Sequence, residues 1–270
     1  MPTQAMVDAR KPAAAGVFYP AERELLARTV VELLDAVPQS RTGPRAGRVR
    51  AIVAPHGVFG VAGAVAAVAW ARVAAQTERL KRVVLLGPAH HTEFAGIAAP
   101  FADSFATPLG VVEVDRIAIE TARRFPQLVV TDEPHAQEPS LEAQLPFVQT
   151  LLPAAIIVPL LVGDVPDEDA ARLVEALWDD ETLVVVSTDL SRYYDAGTAT
   201  RLDEVTARAV EALEPAPIGE QQACGHAALR ALVTASRARK LKATRLDVRH
   251  SGEVTGELSE VVGYGAFVVA

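Results

Sequence analysis

The sequence predicts an α/β protein, a single three-layer sandwich spanning residues 1–270 with a mostly parallel, mixed sheet. Three observations point there. Short β-branched aliphatic runs recur along the chain, segments of helical period lie between them, and half of the residues are hydrophobic, enough to bury one substantial core. Strands that read as continuous apolar runs are those covered on both faces, as in parallel sheets flanked by helices.

Taken in order, the pattern alternates with few interruptions. A helical period over 21–36 precedes the strand "VRAIVAP" at 49–55, and a second helix over 60–76 leads to the strand "RVVLLG" at 82–87. The helix 115–124 then comes before "QLVVTD" at 127–132, and the helix 140–152 before "AIIVPLLVG" at 155–163. A helix over 167–178 leads to "TLVVVSTD" at 182–189, followed by helices over 199–213 and 226–238 and the closing strand "YGAFVVA". Several of the helices open on Asp, Ser or Pro, which suit the first positions because they accept from, or dispense with, unpaired amide hydrogens. The segment "VPQSRTGPRAGRV" at 37–49 reads as a loop and not a domain boundary, and "DEPHAQEPS" reads as a second loop that places His135 at the surface. The basic stretch "RARKLKATR" reads as a solvated face.

Composition narrows the function. The formal charge is −8, from 26 Lys and Arg against 34 Asp and Glu, with no clustered positive surface, so a nucleic-acid partner is not expected. One cysteine, Cys224, forms no internal disulfide, which fits a reducing compartment. The first residues lack an apolar signal core, and no apolar run reaches the roughly 18 residues that a membrane helix needs. A soluble cytoplasmic protein without a membrane partner is expected. No "GxSxG" elbow, P-loop or "GxGxxG" occurs, which removes the simplest hydrolase and nucleotide-binding readings.

Chemistry then concentrates at strand ends, where α/β sheets bind ligands. His56 follows "AIVAP", His90 and His91 follow "VVLLGPA", and Asp189 closes "VVVSTD". Three strands therefore aim polar side chains at one edge of the sheet. Taken alone, the histidine pair also reads as a turn in which one imidazole bonds a carbonyl and the other faces water. Neighbouring residues leave the backbone in different directions, so one of the two is expected to share an ion with His56 while the other orients a substrate. Cys224 reads either as a small buried hydrophobe or as a functional thiol at a helix N-terminus, where the dipole favours thiolate.

The segments "AAAGVFYP", "AIVAPH", "VVLLGPAHH", "ATPLGVVEVD", "SLEAQLPF", "IIVPLLVGD", "VVVSTDLSRYYD", "ACGH" and "SGEVTGELSEVVGYGAF" occur in the order seen in the Memo family. The chain resembles that family nearly end to end; its bacterial members are also described as AmmeMemoRadiSam system protein B, with a fold related to the LigB-type class III extradiol dioxygenases. The resemblance implies a Memo-like α/β fold with a cleft at the strand ends and a metal site formed by His56, His90 and Cys224. It also implies a functional link to a radical-SAM protein. In the dioxygenases the corresponding centre is two histidines and a carboxylate around iron. A thiolate in place of the carboxylate suits iron(II) or copper, with zinc as a further option, and makes ring cleavage less expected than metal-linked redox chemistry.

Several positions depart from the family pattern. Gly57, Val58 and Phe59 stand where Ala-Gly-Tyr is usual, and Ala14, Pro139 and Arg192 stand where histidine is common. Arg192 exchanges no proton near neutral pH and is read instead as a clamp for an anionic substrate group. His91 is read as a substrate-facing acid or base. Asp189 is either a proton acceptor, a support for a ligating histidine, or a cap. Glu142 either completes a cap with Ser140 or contacts substrate in the cleft. His226 is read as a partly buried helical residue and His250 as loop-borne. Two functions follow from different classes: a metal-dependent oxidoreductase acting on a small molecule or peptide, and a binding protein that uses the same cleft without turnover.

Overall fold

The aliphatic runs at 51–54, 82–87, 156–162 and 182–187 become the middle of one sheet because they are apolar on both faces and buried almost throughout, whereas the run at 128–130 forms its edge, with Val129 exposed. A computed structural model describes residues 9–38 and 48–270; the start of the chain and most of the loop read at 37–49 lie outside the described residues. The strands are β1 (Ala9–Arg10), β2 (Ala51–Ala54), β3 (Arg82–Gly87), β4 (Ile97–Ala99), β5 (Ser104–Thr107), β6 (Gly110–Glu113), β7 (Leu128–Val130), β8 (Ile156–Val162), β9 (Thr182–Ser187), β10 (Arg192–Tyr194), β11 (Ala243–His250) and β12 (Val261–Val269). The α-helices are α1 (Arg23–Asp35), α2 (Phe59–Ala71), α3 (Arg116–Ala122), α4 (Pro139–Glu142), α5 (Leu145–Leu151), α6 (Asp167–Leu177), α7 (Ala196–Ala212), α8 (His226–Ala238) and α9 (Gly252–Thr255).

The large sheet runs β10–β12–β2–β9–β3–β8–β4–β7, with β11 also paired to β12. Its centre, β2–β9–β3–β8, is parallel, while β12 joins β2 and β4 joins β8 in the antiparallel sense. The parallel centre puts the carboxyl ends of β2, β9 and β3 side by side: Ala54 pairs with Ser187, and Leu86 with Val186. A smaller sheet, β1–β5–β6, carries the N-terminal segment.

Helices cover the sheet in groups, α1 with α2 and α5, and α6 with α8, while α7 lies on β11 and β12. The sequence of α2, "FGVAGAVAAVAWA", explains its depth: small residues let it approach β2 and β12 closely, and Ala62, Ala67, Ala69 and Trp70 have no solvent exposure. Gly63 lets α1 approach, since a Cβ there would stand 2.9 Å from Leu33 Cδ1.

The differences from expectation have local causes. The helix predicted over 140–152 breaks at Ala143 and Gln144 into α4 and α5, because Pro146, in the first turn of α5, has no N–H for the carbonyl of Glu142, and the side chain at the break, that of Gln144, ties distant segments together. Its Oε1 accepts from Trp70 Nε1 (2.8 Å), and its Nε2 donates to Pro55 O (3.0 Å) and Ser187 Oγ (2.9 Å). The basic stretch enters β11, an outer strand of the sheet whose charged side chains reach acidic partners on α7: Arg245 pairs with Glu204 and Glu211. His250 accordingly ends a strand and not a loop. His135 is buried at 2 % exposure, contrary to the surface placement expected. Its Nε2–H donates to Ala98 O (3.1 Å), its ring meets Phe105 edge-on, and its own carbonyl accepts from Arg10 Nε (2.9 Å). No helix among the described residues is long and apolar enough to cross a membrane.

Candidate metal centre

Each of the parallel strands β2, β3 and β9 runs out into a short turn, and these turns carry His56, His90 and Asp189. Cys224 arrives from the far side of the chain, in the turn before α8. That turn is stitched to the end of β9, with Gly225 N–H donating to Thr188 Oγ1 (2.8 Å) and Cys224 N–H donating to Asp189 O (3.3 Å). A Cβ on Gly225 would stand 2.8 Å from the Thr188 Cβ and 3.3 Å from Pro88 Cδ, so glycine is what lets the three turns meet.

The result is a cluster of two imidazoles and one sulfur in which one ligand atom from each lies within 4.8 Å of the others. Cys224 Sγ is 3.5 Å from His56 Nε2, and the two rings sit 5.2 Å apart at 78°. Hydrogen bonding decides which nitrogens are free. Ser187 Oγ spends its one proton on Ser140 O (2.6 Å), so its 3.2 Å contact with His56 Nδ1 makes that nitrogen the donor. The carboxylate of Glu138 accepts at 2.8 Å from His90 Nδ1. In its neutral form each ring therefore has its lone pair on Nε2, so an ion that displaces the second proton finds a ligand atom there. Paired outer hydrogen bonds of this kind are how proteins hold metal-binding histidines in one tautomer, and the residues fit a soft or borderline transition-metal ion.

The charges are arranged to match. Burial would raise the Cys224 thiol, yet the neighbouring His56 and His90 rings outweigh it and bring it down to about 6. For His90, burial opposes the proton, but hydrogen bonds to Cys224 and Glu138 prevail and lift it to about 9. Glu138 is pulled to about 2 against its own burial by its hydrogen bonds and attraction to His90. Burial would likewise raise Asp189, and the charges of His56 and Arg192 hold it below the usual carboxylate range.

Asp189 is a clamp. Its Oδ1 accepts from the backbone N–H of His56 (3.0 Å) and of Gly57 (3.1 Å), and its Oδ2 accepts from Arg192 Nη2 (2.9 Å). It thereby holds the turn after β2 that carries His56. Arg192 also lies against the centre, with Nη2 3.2 Å from His56 Nε2. His91 is exposed. Glu142 does neither thing expected of it, because Glu138 supplies the cap on Ser140 N–H. The Glu142 carboxylate is wholly buried and taken up by Arg10, the Tyr19 hydroxyl and the backbone N–H groups of Ala13 (2.7 Å) and Ala14 (2.9 Å), leaving no oxygen to face the cleft. A cavity of about 1060 Å³ opens onto Cys224, walled by Thr92, Phe94, Asp164, Glu220 and His226.

A family model described as "Memo-like protein" matches residues 10–268. The chain belongs to the Memo family. A MEMO1 family protein of Aquifex aeolicus is 32% identical, over 94% of this chain and 97% of its own length. The MEMO1 family protein Mbar_A1422 of Methanosarcina barkeri is 31% identical over 96% and 99%. Among solved structures, the uncharacterized protein JW3007 from Escherichia coli K12 superimposes with a TM-score of 0.53 at 14% identity, covering 80% of this chain and 99% of that one, a likeness of fold alone.

Within this Memo-family site, sequence reasoning missed three supporting residues and a tyrosine that lies beside them. Glu138 looked like part of a polar loop, although its place just before Pro139, where it caps α4, was the available signal. Ser187 and Gln144 act through hydrogen bonds between distant segments, which no local pattern reveals. Tyr264 on β12 lies so close that a Cβ on Gly57 would meet its hydroxyl at 3.1 Å. Burial, then the charge of Asp189, pushes that phenol up.

Proposed function

We propose that this protein binds iron(II) or copper, with zinc as a further option, through Nε2 of His56, Nε2 of His90 and Sγ of Cys224, and works as an oxidoreductase on a small molecule or peptide held in the adjoining cleft. The carrying observation is that two imidazoles, each with Nδ1 taken by an outer partner, and one thiol lie within metal-binding reach of one another, beside a cavity that Cys224 lines. An ion bound there supplies redox chemistry and Lewis acidity. The protein's part is positional. Glu138 keeps the His90 proton on Nδ1, Ser187 does the same for His56, and Asp189 fixes the turn that carries His56. His91, exposed beside His90, takes the acid–base role toward the ligand. A radical-SAM protein is the functional associate that the family resemblance implies.

A second reading, a binding protein without turnover, is favoured by Arg192. An arginine that exchanges no proton near neutral pH lies on the centre where the resemblance expects histidine. One experiment separates the two. Protein purified without chelators should carry stoichiometric metal that is lost in His90→Ala and Cys224→Ala, and the loaded protein should consume oxygen with a member of a catechol panel. Equal metal content in all three proteins would remove the ligand assignment; full occupancy without oxygen uptake would favour the binding protein.

A further inference from the structure

Arg192 does not merely neighbour the centre. One of its N–H groups is directed at the lone pair that His56 would give to an ion. The side chain of His56 is 2 % exposed and that of Asp189 5 %, while Arg192 keeps 25 %. The guanidinium is thus anchored from inside by Asp189 Oδ2 at 2.9 Å and leans 3.2 Å from Nε2. Nε2 has one lone pair, and Nδ1 is already committed to Ser187. An N–H···N hydrogen bond and a metal–nitrogen bond are therefore alternatives at the same atom. Arginine cannot yield by losing its proton, so it must swing aside and carry its charge with it.

We infer that Arg192 competes with the metal ion for Nε2 of His56 and so sets both the affinity and the charge selectivity of the centre. The inference rests on the ligand assignment made above and adds to it a residue that opposes binding. Entry of an ion breaks the hydrogen bond from Nη2 to Nε2 and forms the metal–nitrogen bond, while the guanidinium keeps its charge and moves toward its exposed side. No electron is transferred in the exchange.

The remaining penalty is Coulombic and scales with the charge of the ion. A divalent ion meets about twice the repulsion from Arg192 that a monovalent one meets at the same place. Cys224 adds one negative charge, Glu138 a second through His90 Nδ1, and the negative charge of Asp189 is already balanced by Arg192. These groups attract either ion, and what Arg192 itself adds is the doubled repulsion of the divalent one. Arg192 favours copper(I) over zinc(II) on this account, quite apart from the preference of the sulfur.

The test measures dissociation constants for zinc(II) and copper(I), each in competition with a chromophoric chelator, on the wild-type chain, Arg192→Met, Arg192→Gln and Cys224→Ala. Removing the arginine should tighten zinc(II) binding by about tenfold or more and copper(I) binding by about threefold, following the ratio of the charges. The double variant Asp189→Asn/Arg192→Met keeps an acceptor for the two backbone amides of the His56 turn but no bare carboxylate, and the gain should persist there. Thermal unfolding of each variant confirms that the binding protein is folded, and Arg192→Gln serves if Arg192→Met is not. Unchanged or weaker zinc(II) affinity in both single variants would overturn the inference, as would a gain that vanishes in the double variant. If Cys224→Ala binds like the wild type, the ligand assignment fails, a result distinguishable from failure of the arginine alone.

Discussion

Glu138 and Glu142 flank one short helix, α4, four residues apart, yet they serve opposite ends. Glu138 faces His90 and leaves that ring's Nε2 free toward the sulfur. Glu142 faces the N-terminal segment, where Arg10, Tyr19, Ala13 and Ala14 take up both of its oxygens. The two networks touch, since Arg10 Nη2 also donates to Glu138 O at 2.5 Å. Both carboxylates have both oxygens engaged, Glu138 by the backbone N–H and Nδ1 of His90 and by the N–H of Ser140. The difference teaches that residue type, burial and saturation do not distinguish a structural polar knot from a functional one; what distinguishes them is where the network ends, on backbone in one case and on a ring beside the sulfur in the other.

The comparison breaks most readily at the Glu142 knot. Glu142→Gln leaves Arg10 buried without its charge partner and should cost about 3–5 kcal/mol in denaturant unfolding. The molecules that remain folded should bind metal as before. A loss under about 1 kcal/mol would show that the pair is not what holds the N-terminal segment down.

Next in size is the acid response of His135, which belongs to the same knot. Burial, partly offset by its bond to Ala98 O, pulls this histidine down to about 4. A depressed folded-state pKa means that the neutral form is favoured. Its contribution is thus complete above the unfolded value near 6.5 and disappears as the pH falls from there toward 4, by about 3 kcal/mol. In His135→Gln, which keeps a donor for Ala98 O but does not titrate, the slope of stability against pH across that window should flatten. An unaltered slope would move the acid lability to other groups.

The smallest effect tests the Glu138 network. Glu138→Gln removes the charge that holds His90 upright while leaving most of the packing, and should weaken metal binding by about 10–100-fold with little change in unfolding. The His90 imidazole, followed by NMR, should titrate below its present value of about 9. If affinity holds while stability falls, Glu138 belongs with Glu142 and the contrast between them is lost.

Much of this architecture was legible in the sequence, for physical reasons that vary by element. β3 and α8 match their predicted bounds, because "RVVLLG" is buried from Val83 to Gly87 and α8 buries only one face of a regular helical period. β11 was missed because an outer strand next to α7 carries arginines that reach that helix, so its pattern does not look like a core strand. The strand ends that carry His56, His90 and Asp189 could be placed from the aliphatic runs alone, whereas the role of Cys224 needed the family resemblance. The burial of His135 and the engagement of Glu142 depend on Arg10, more than a hundred residues away, and local periodicity carries no information about such a partner.

The anchoring of the Cys224 turn to β9, with Gly225 pressed on Thr188, has a consequence for how relatives can diverge. The sulfur takes its position from the sheet, while Glu220, on the cleft wall a few residues upstream, sits in the connection after α7 and is free of that anchor. Insertions or exchanges in that connection would reshape what the cavity admits without displacing the thiol. Selection on ligand choice can therefore proceed in one stretch of chain while the metal-holding geometry is inherited unchanged.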